Sequence, residues 1–326
     1  MIRWATLLGL LGLGLATGLI VYYGAGEVFA ALSVAGLGIL WASLFHFVPM
    51  AVNARAWQVL MPGRRRPSVA FFTWAVWLRE SVNGLLPVAR VGGEIVSARV
   101  LIWHGVRTSP AIGSLVVDTT LSIVTQFVFT ALGLALLALR SDDVTAIGRI
   151  AIGLLVAVPI VAALLAVQRL GLFGLLGRIF NLLFRDRWAA LAAGARRLDD
   201  AVRLMYRRRD RVLSCCLWQL LGWVLGAGEI YLALHFLGYP VSIWDAVLIE
   251  ALAQAVSSAA FIVPAAIGVQ EGGFIVFGAL VGLTPEISLA LALARRARDL
   301  IMFLPPLVLW QWLEAKRLFA ARDRRQ

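Results

Sequence analysis

The sequence predicts an all-α polytopic membrane protein, with about six full spans and two broken re-entrant hairpins that form an inverted repeat. Three observations carry that prediction. The chain of 326 residues is 61% hydrophobic, with a mean hydropathy of +0.87, well above the near-half apolar usage of soluble domains. A pattern of helix breaker, short gap, Gly-Gly and carboxylate occurs twice, as Leu86-Pro87-Val88-Ala89-Arg90-Val91-Gly92-Gly93-Glu94 and as Val263-Pro264-Ala265-Ala266-Ile267-Gly268-Val269-Gln270-Glu271-Gly272-Gly273. Basic residues outnumber acidic ones 30 to 18, net +12, and fall mainly in three stretches.

In chain order, residues 4–23 follow Arg3 and are apolar for long enough to span. No small-x-small cleavage site follows, so a retained first helix is expected in place of a signal peptide. Residues 34–53 form a second span. Segment 53–68 is basic, with Arg55, Arg64, Arg65 and Arg66. Region 69–104 is apolar but broken by Pro, Gly and charge, and 111–139 and 147–168 read as spans. Segment 169–211 carries eleven Arg against four Asp. Within it, Trp188, Leu191, Ala195, Leu198, Val202 and Met205 recur at steps of three and four. That spacing marks an amphipathic helix, expected to lie on the anionic inner leaflet. Residues 212–237 span again, 244–283 is the second broken region, 286–313 is the last span, and 314–326 is a basic tail. The expected organisation is a membrane half 1–168, a linker 169–211, a second membrane half 212–313 and the tail.

The positive-inside rule puts the three basic stretches in the cytoplasm. The loops near 24–33, 140–149 and 238–243 are then outside. Region 69–104 must begin and end inside, and region 244–283 must begin and end outside. Each broken region is therefore read as a hairpin that enters the membrane and returns, from opposite faces. Interrupted segments at matching positions of two halves point to a transporter's binding site. Glu80 precedes the first break and Glu250 the second. Gly105 stands as far before Asp118 as Gly282 stands before Arg295.

An ionisable group at membrane depth costs about 2.5–3.5 kcal/mol on insertion scales. Arg79, Glu80, Arg90, Glu94, Asp118, Glu250, Glu271, Arg295, Arg296, Arg298 and Asp299 all fall in the broken regions or in the spans after them. They must pair or line a wet cavity. Spacing predicts Arg79 with Glu80, Arg90 with Glu94 and Arg295 with Asp299. Pro87 and Pro264 end helices, and Gly92, Gly93, Gly268, Gly272 and Gly273 allow close backbone approach. A helix starting after each Gly-Gly pair would aim its amides at a phosphate or carboxylate. The candidate substrate-binding set is Arg79, Glu80, Asn83, Arg90, Glu94, Asp118, Glu250, Gln254, Gln270, Glu271, Arg295 and Asp299. For any one of them, an internal ion pair or hairpin packing is the plainer reading.

Other chemistry is not signalled. Cys215 and Cys216 lack metal or disulfide spacing, and His46, His104 and His235 lack partners at helical spacing, so neither a metal nor a cofactor is expected. No nucleotide-binding Gly-Lys-Ser/Thr loop occurs. The charge follows membrane topology, so nucleic acid is not an expected partner. No catalytic residues are assigned.

Arg79-Glu80-Ser81-Val82-Asn83-Gly84-Leu85-Leu86-Pro87, Val91-Gly92-Gly93-Glu94 and Gly268-Val269-Gln270-Glu271-Gly272-Gly273 resemble the transmembrane region of the lysylphosphatidylglycerol synthase/flippase family. The closest resemblance is to stand-alone, hopanoid-biosynthesis-associated (HpnL-like) membrane proteins of bacteria. It implies a multi-pass inner-membrane protein that moves a polar-headgroup lipid, phospholipid or hopanoid-related, between leaflets. The sequence stops at Gln326 with no soluble aminoacyl-transferase domain, so synthase activity is not expected. A membrane-embedded lipid-modifying enzyme and an accessory scaffold for lipid-synthesis enzymes are the alternatives.

Overall fold

The computed structural model describes residues 25–63, 66–86, 92–139, 189–260 and 266–323, together with Gly18, Val21, Tyr22 and Val263. Among the described residues every regular element is helical. They are α1 (Ala25–Ala35), α2 (Gly38–Phe45), α3 (Phe47–Leu60), α4 (Val69–Leu85), α5 (Gly92–Trp103), α6 (Thr108–Ala138), α7 (Ala189–Arg207), α8 (Arg209–Phe236), α9 (Ile243–Ala259), α10 (Val269–Ala279) and α11 (Pro285–Asp323). The expected span 147–168, the expected span 4–23 apart from Gly18, Val21 and Tyr22, and Pro87, Arg90, Trp188 and Pro264 lie outside the described residues.

Two helices, α6 and α8, are each long and apolar enough to cross a membrane, matching the expected spans 111–139 and 212–237. A third crossing is made by α1 with α2 and α3 if that pair, bent where Gly36 takes φ +46°, counts as one. Up to three crossings are therefore supported among the described residues, against six expected in the whole chain. The expected span 286–313 lies inside the 39-residue α11. There Arg295, Arg296, Arg298 and Asp299, followed by Glu314, Lys316 and Arg317, interrupt the apolar run.

Local chemistry explains the helix ends. Pro110 stands in the first turn of α6 and Pro285 opens α11, where a missing N–H costs no helical bond. Ser242 caps α9: its Oγ accepts the Asp245 N–H at 3.2 Å, and the Asp245 carboxylate accepts the Ser242 N–H at 3.1 Å. Inside α11, Pro305 and Pro306 donate no N–H to the carbonyls four residues earlier. The indole Nε1 of Trp77 donates to one of those carbonyls, that of Met302, at 2.6 Å.

Each broken region is a 17-residue helix followed by a short one, α4 then α5 (12 residues) and α9 then α10 (11 residues). At 1.5 Å per residue the lengths are ~26 Å and ~17 Å, against a hydrocarbon core of ~30 Å. Downstream of each break the backbone recurs in one register, 177 residues apart. Gly92 and Val269 start helices, Thr108 and Pro285 start the next ones, and Gly105 and Gly282 both take left-handed φ, +87° and +82°. Each glycine closes the same turn, in which the next N–H reaches back five residues: Val106 to Leu101 at 3.1 Å and Leu283 to Gly278 at 2.9 Å.

The chain divides into two compact units, each drawing on both halves of the sequence. The first holds residues 1–47, 74–97 and 225–326, and the second 48–73 and 98–224. In the first, α11 packs against α1, α2 and α10, and α10 against α9. In the second, α7 lies along α6, with Gly113 facing Ala201, Leu198 and Val202. Val202, Met205 and Tyr206 are buried in a core with Ala56, Leu60, Val117, Leu121 and Cys215. The amphipathic helix thus turns the described part of its apolar face to protein. Arg196, Arg197, Arg203 and Arg207 stay exposed. Nearby, burial first and then Arg211, Arg55 and Arg208 hold the Arg66 guanidinium below its ordinary pKa.

Candidate functional site

Four residues of α11 gather the charge of the first unit. Arg295 forks onto Glu250 of α9, with Nη2 2.9 Å from Oε1 and Nη1 on the other oxygen. Arg296 donates from Nε to Glu271 of α10 at 2.9 Å. Arg298 donates from Nη1 to Glu229 of α8 at 3.0 Å and pairs through Nη2 with Asp299 at 2.9 Å. Three helices are thus tied to one turn and a half of α11. Glu250 and Glu271 are each 2% exposed and Arg295 8%, so both carboxylates are buried. Removing one partner would leave the other charged, buried and unpaired.

His46, in the turn between α2 and α3, extends this network. Its Nε2 is 3.1 Å from Glu80 of α4, and its Nδ1 is 3.0 Å from Glu229. Arg298 Nη1 lies 2.7 Å from the same Nδ1. Phe303 packs edge-on to the imidazole at 5.9 Å and closes on Gly84 of α4. A narrow cleft, wide enough for a water molecule and not for a headgroup, reaches Glu229, Arg295 and Arg298 between Ser43, Ile230 and Leu291.

The hairpin residues are held differently. Asn83 accepts the Gly93 N–H at 2.9 Å and donates to Glu94 at 3.1 Å. Glu271 accepts the Gly268 N–H at 2.6 Å. Glu94 and Glu271 are each the third residue of the helix after a break, so each carboxylate sits where the helix dipole favours it. The helices begin at Gly92 and Val269, which puts both Gly-Gly pairs within a helix and not ahead of one. Only some of these glycines are required. A Cβ on Gly93 would strike the Arg79 carbonyl and the Asn83 side chain, and Gly268 takes φ +82°. Gly272 faces open space, so it is not needed to shape the hairpin.

Of the expected site residues, Arg79, Glu80, Asn83, Glu94, Glu250, Gln254, Gln270, Glu271, Arg295 and Asp299 all belong to the first unit. Gln254 donates to Glu250 at 2.8 Å, and Gln270 is half-buried in the first turn of α10. One expected pairing changes, Arg295 taking Glu250 where spacing predicted Asp299, and Glu80 bonds to His46 with Arg79 also acting on its charge. Asp118 belongs to the second unit, where Gln219 Nε2 donates to its carboxylate at 2.9 Å. His46 and Glu229 are the functional residues that sequence reasoning missed. Each carried a signal: His46 is the only ionisable residue of span 34–53, and Glu229 is the only carboxylate of span 212–237.

Residues 9–306 match the family model described as the lysylphosphatidylglycerol synthase TM region. The chain belongs to that family. No curated protein and no solved structure matches it. The family is a membrane one and its description concerns a lipid, in agreement with the apolar helices α6 and α8.

Proposed function

We propose that this member of the lysylphosphatidylglycerol synthase TM family is a lipid flippase or transporter of the bacterial inner membrane, and not an enzyme. It moves a polar-headgroup lipid, phospholipid or hopanoid-related, between leaflets, and its two broken regions act as inverted re-entrant hairpins. The carrying observation is the α11 segment 295–299, which ties residues of both broken regions into one charged network. Ion pairs kept only for stability are a poor use of buried sites, because well-packed apolar residues are often as stable or more so. Arginines that already hold carboxylates in forked geometry can exchange them for a phosphate or carboxylate headgroup. The water-wide cleft corresponds to a closed state that a rocking motion would open.

The burial of Asp118 beneath Gln219 favours transport over a lipid-modifying reaction that would use this carboxylate as its acid. The test is a leaflet-exposure assay in reconstituted vesicles with labelled phosphatidylglycerol and labelled hopanoid. Wild type is expected to move at least one of them, and E250Q/R295Q to move neither. Equal rates would remove the α11 network from the mechanism. Unchanged lipid leaflets combined with a new lipid species would replace transport with enzymatic modification.

A further inference from the structure

The imidazole of His46 has two nitrogens in unlike settings. Nε2 faces the Glu80 carboxylate at 3.1 Å, with Arg298 Nη1 farther away at 3.3 Å, and so carries a proton to donate to Glu80. Nδ1 faces an acceptor and a donor together: Glu229 Oε2 at 3.0 Å and Arg298 Nη1 at 2.7 Å. A guanidinium never gives up its proton and has no lone pair to offer. Nδ1 can therefore accept from Arg298 or carry a proton and donate to Glu229, and it cannot do both.

Every element packed on the imidazole contributes charge to that choice. Glu80 comes from α4 with Arg79 beside it, Glu229 from α8, and Arg298 and Asp299 from α11. Arg295 and Glu250 pair with each other, as do Arg296 and Glu271. Arg296 also reaches Asp299 at 3.9 Å, so with neutral imidazole the five carboxylates Glu80, Glu229, Glu250, Glu271 and Asp299 face the four arginines Arg79, Arg295, Arg296 and Arg298. One added proton balances them. Arg298 has a second anchor: its Nη2 holds Asp299 at 2.9 Å, and its Nε is buried with no acceptor among the described residues. The cleft gives water access to Glu229 and Arg298.

We propose that His46, Glu80 and Glu229 form a proton-binding site, loaded at Nδ1, whose occupancy releases Arg298 from His46 and leaves it on Asp299, and so couples a proton to lipid movement. Binding forms one N–H bond and breaks one hydrogen bond from Arg298, with no other co-reactant. The coupling rests on the transport reading, whereas the proton site stands by itself.

The site is tested by ¹⁵N-histidine resonance titration of the full chain in nanodiscs of phosphatidylcholine and phosphatidylglycerol. An H104N/H235N background leaves His46 as the single signal without altering it. A reversible titration between pH 4 and 9, whose midpoint moves by about one pH unit or more in E229Q, is expected. A signal that does not titrate, or a midpoint unmoved by both E229Q and E80Q, overturns the site. Coupling is tested in vesicles with labelled phosphatidylglycerol. An imposed pH gradient is expected to change the wild-type rate by about fivefold or more and to leave H46Q indifferent. Equal wild-type rates with and without the gradient overturn coupling. Absence of any lipid movement, while His46 still titrates, overturns the transport reading and upholds the proton site.

Discussion

The start of α6 and the start of α11 follow the same backbone plan with opposite chemistry. Each follows a short helix, a left-handed glycine and the same closing turn, 177 residues apart. In that register Asp118, Thr119, Leu121 and Ser122 correspond to Arg295, Arg296, Arg298 and Asp299. One helix keeps a single carboxylate, satisfied by a neutral amide from Gln219. The other keeps four charges that bind five acidic or imidazole partners on other helices and on itself. The plan of the backbone was duplicated and the charge was not. The α6 copy is packed through one carboxylate, and the α11 copy holds the charged network.

Unequal stability is the sharpest way to break that comparison. R295M strands Glu250 as a buried unpaired charge and is expected to cost about 3–5 kcal/mol. D118N keeps an acceptor for Gln219 and is expected to cost about 1 kcal/mol. Unfolding of both variants in detergent, followed by circular dichroism, gives the two numbers. Equal losses would mean that the α6 carboxylate is as deeply committed as the α11 arginine.

The glycines of the two breaks differ next. G93A drives a methyl into the Arg79 carbonyl and is expected to lose about 1–3 kcal/mol. G272A, with open space at its Cβ, is expected to gain about 0.5–1 kcal/mol through helix propensity. The same unfolding measurement separates them, and a destabilised G272A would restore this glycine to the hairpin. The smallest difference is expected where the plan is shared. G105A and G282A each force a side chain into left-handed backbone, at about 1–2 kcal/mol. Costs that agree would sharpen the register, and a neutral result at one site would break it.

The duplicated plan was legible in the sequence, because proline, paired glycine and carboxylate are local signals. The register of Gly105 and Gly282, with Asp118 and Arg295, was legible too. The alignment of the carboxylates was not. Glu94 follows its Gly-Gly pair and Glu271 precedes its own, and only the helix starts reveal that both occupy the third helical position. The partners of α11 were hidden for a different reason. Spacing of four suggested Arg295 with Asp299, but a neighbour one turn away on the same helix competes with carboxylates from other helices. Glu250 is 45 residues away in the chain and Glu229 is 69 from Arg298, distances over which no periodicity reports. His46 was passed over because a histidine was judged by metal spacing and not by its isolation in an apolar span.

The two prolines of α11 give the charged turn a lever. Arg295 stands ten residues, or ~15 Å of helix, from Pro305. A proline kink of about 20° at that joint would carry Arg295 through an arc of ~5 Å, longer than any ion pair it makes. The Trp77 indole, clasping the one carbonyl of Met302 that Pro306 leaves open, is the catch on that joint. Releasing it would let one small bend undo the attachments to Glu250, Glu271 and Glu229 together. Alternation between two arrangements would then not require three helices to move separately.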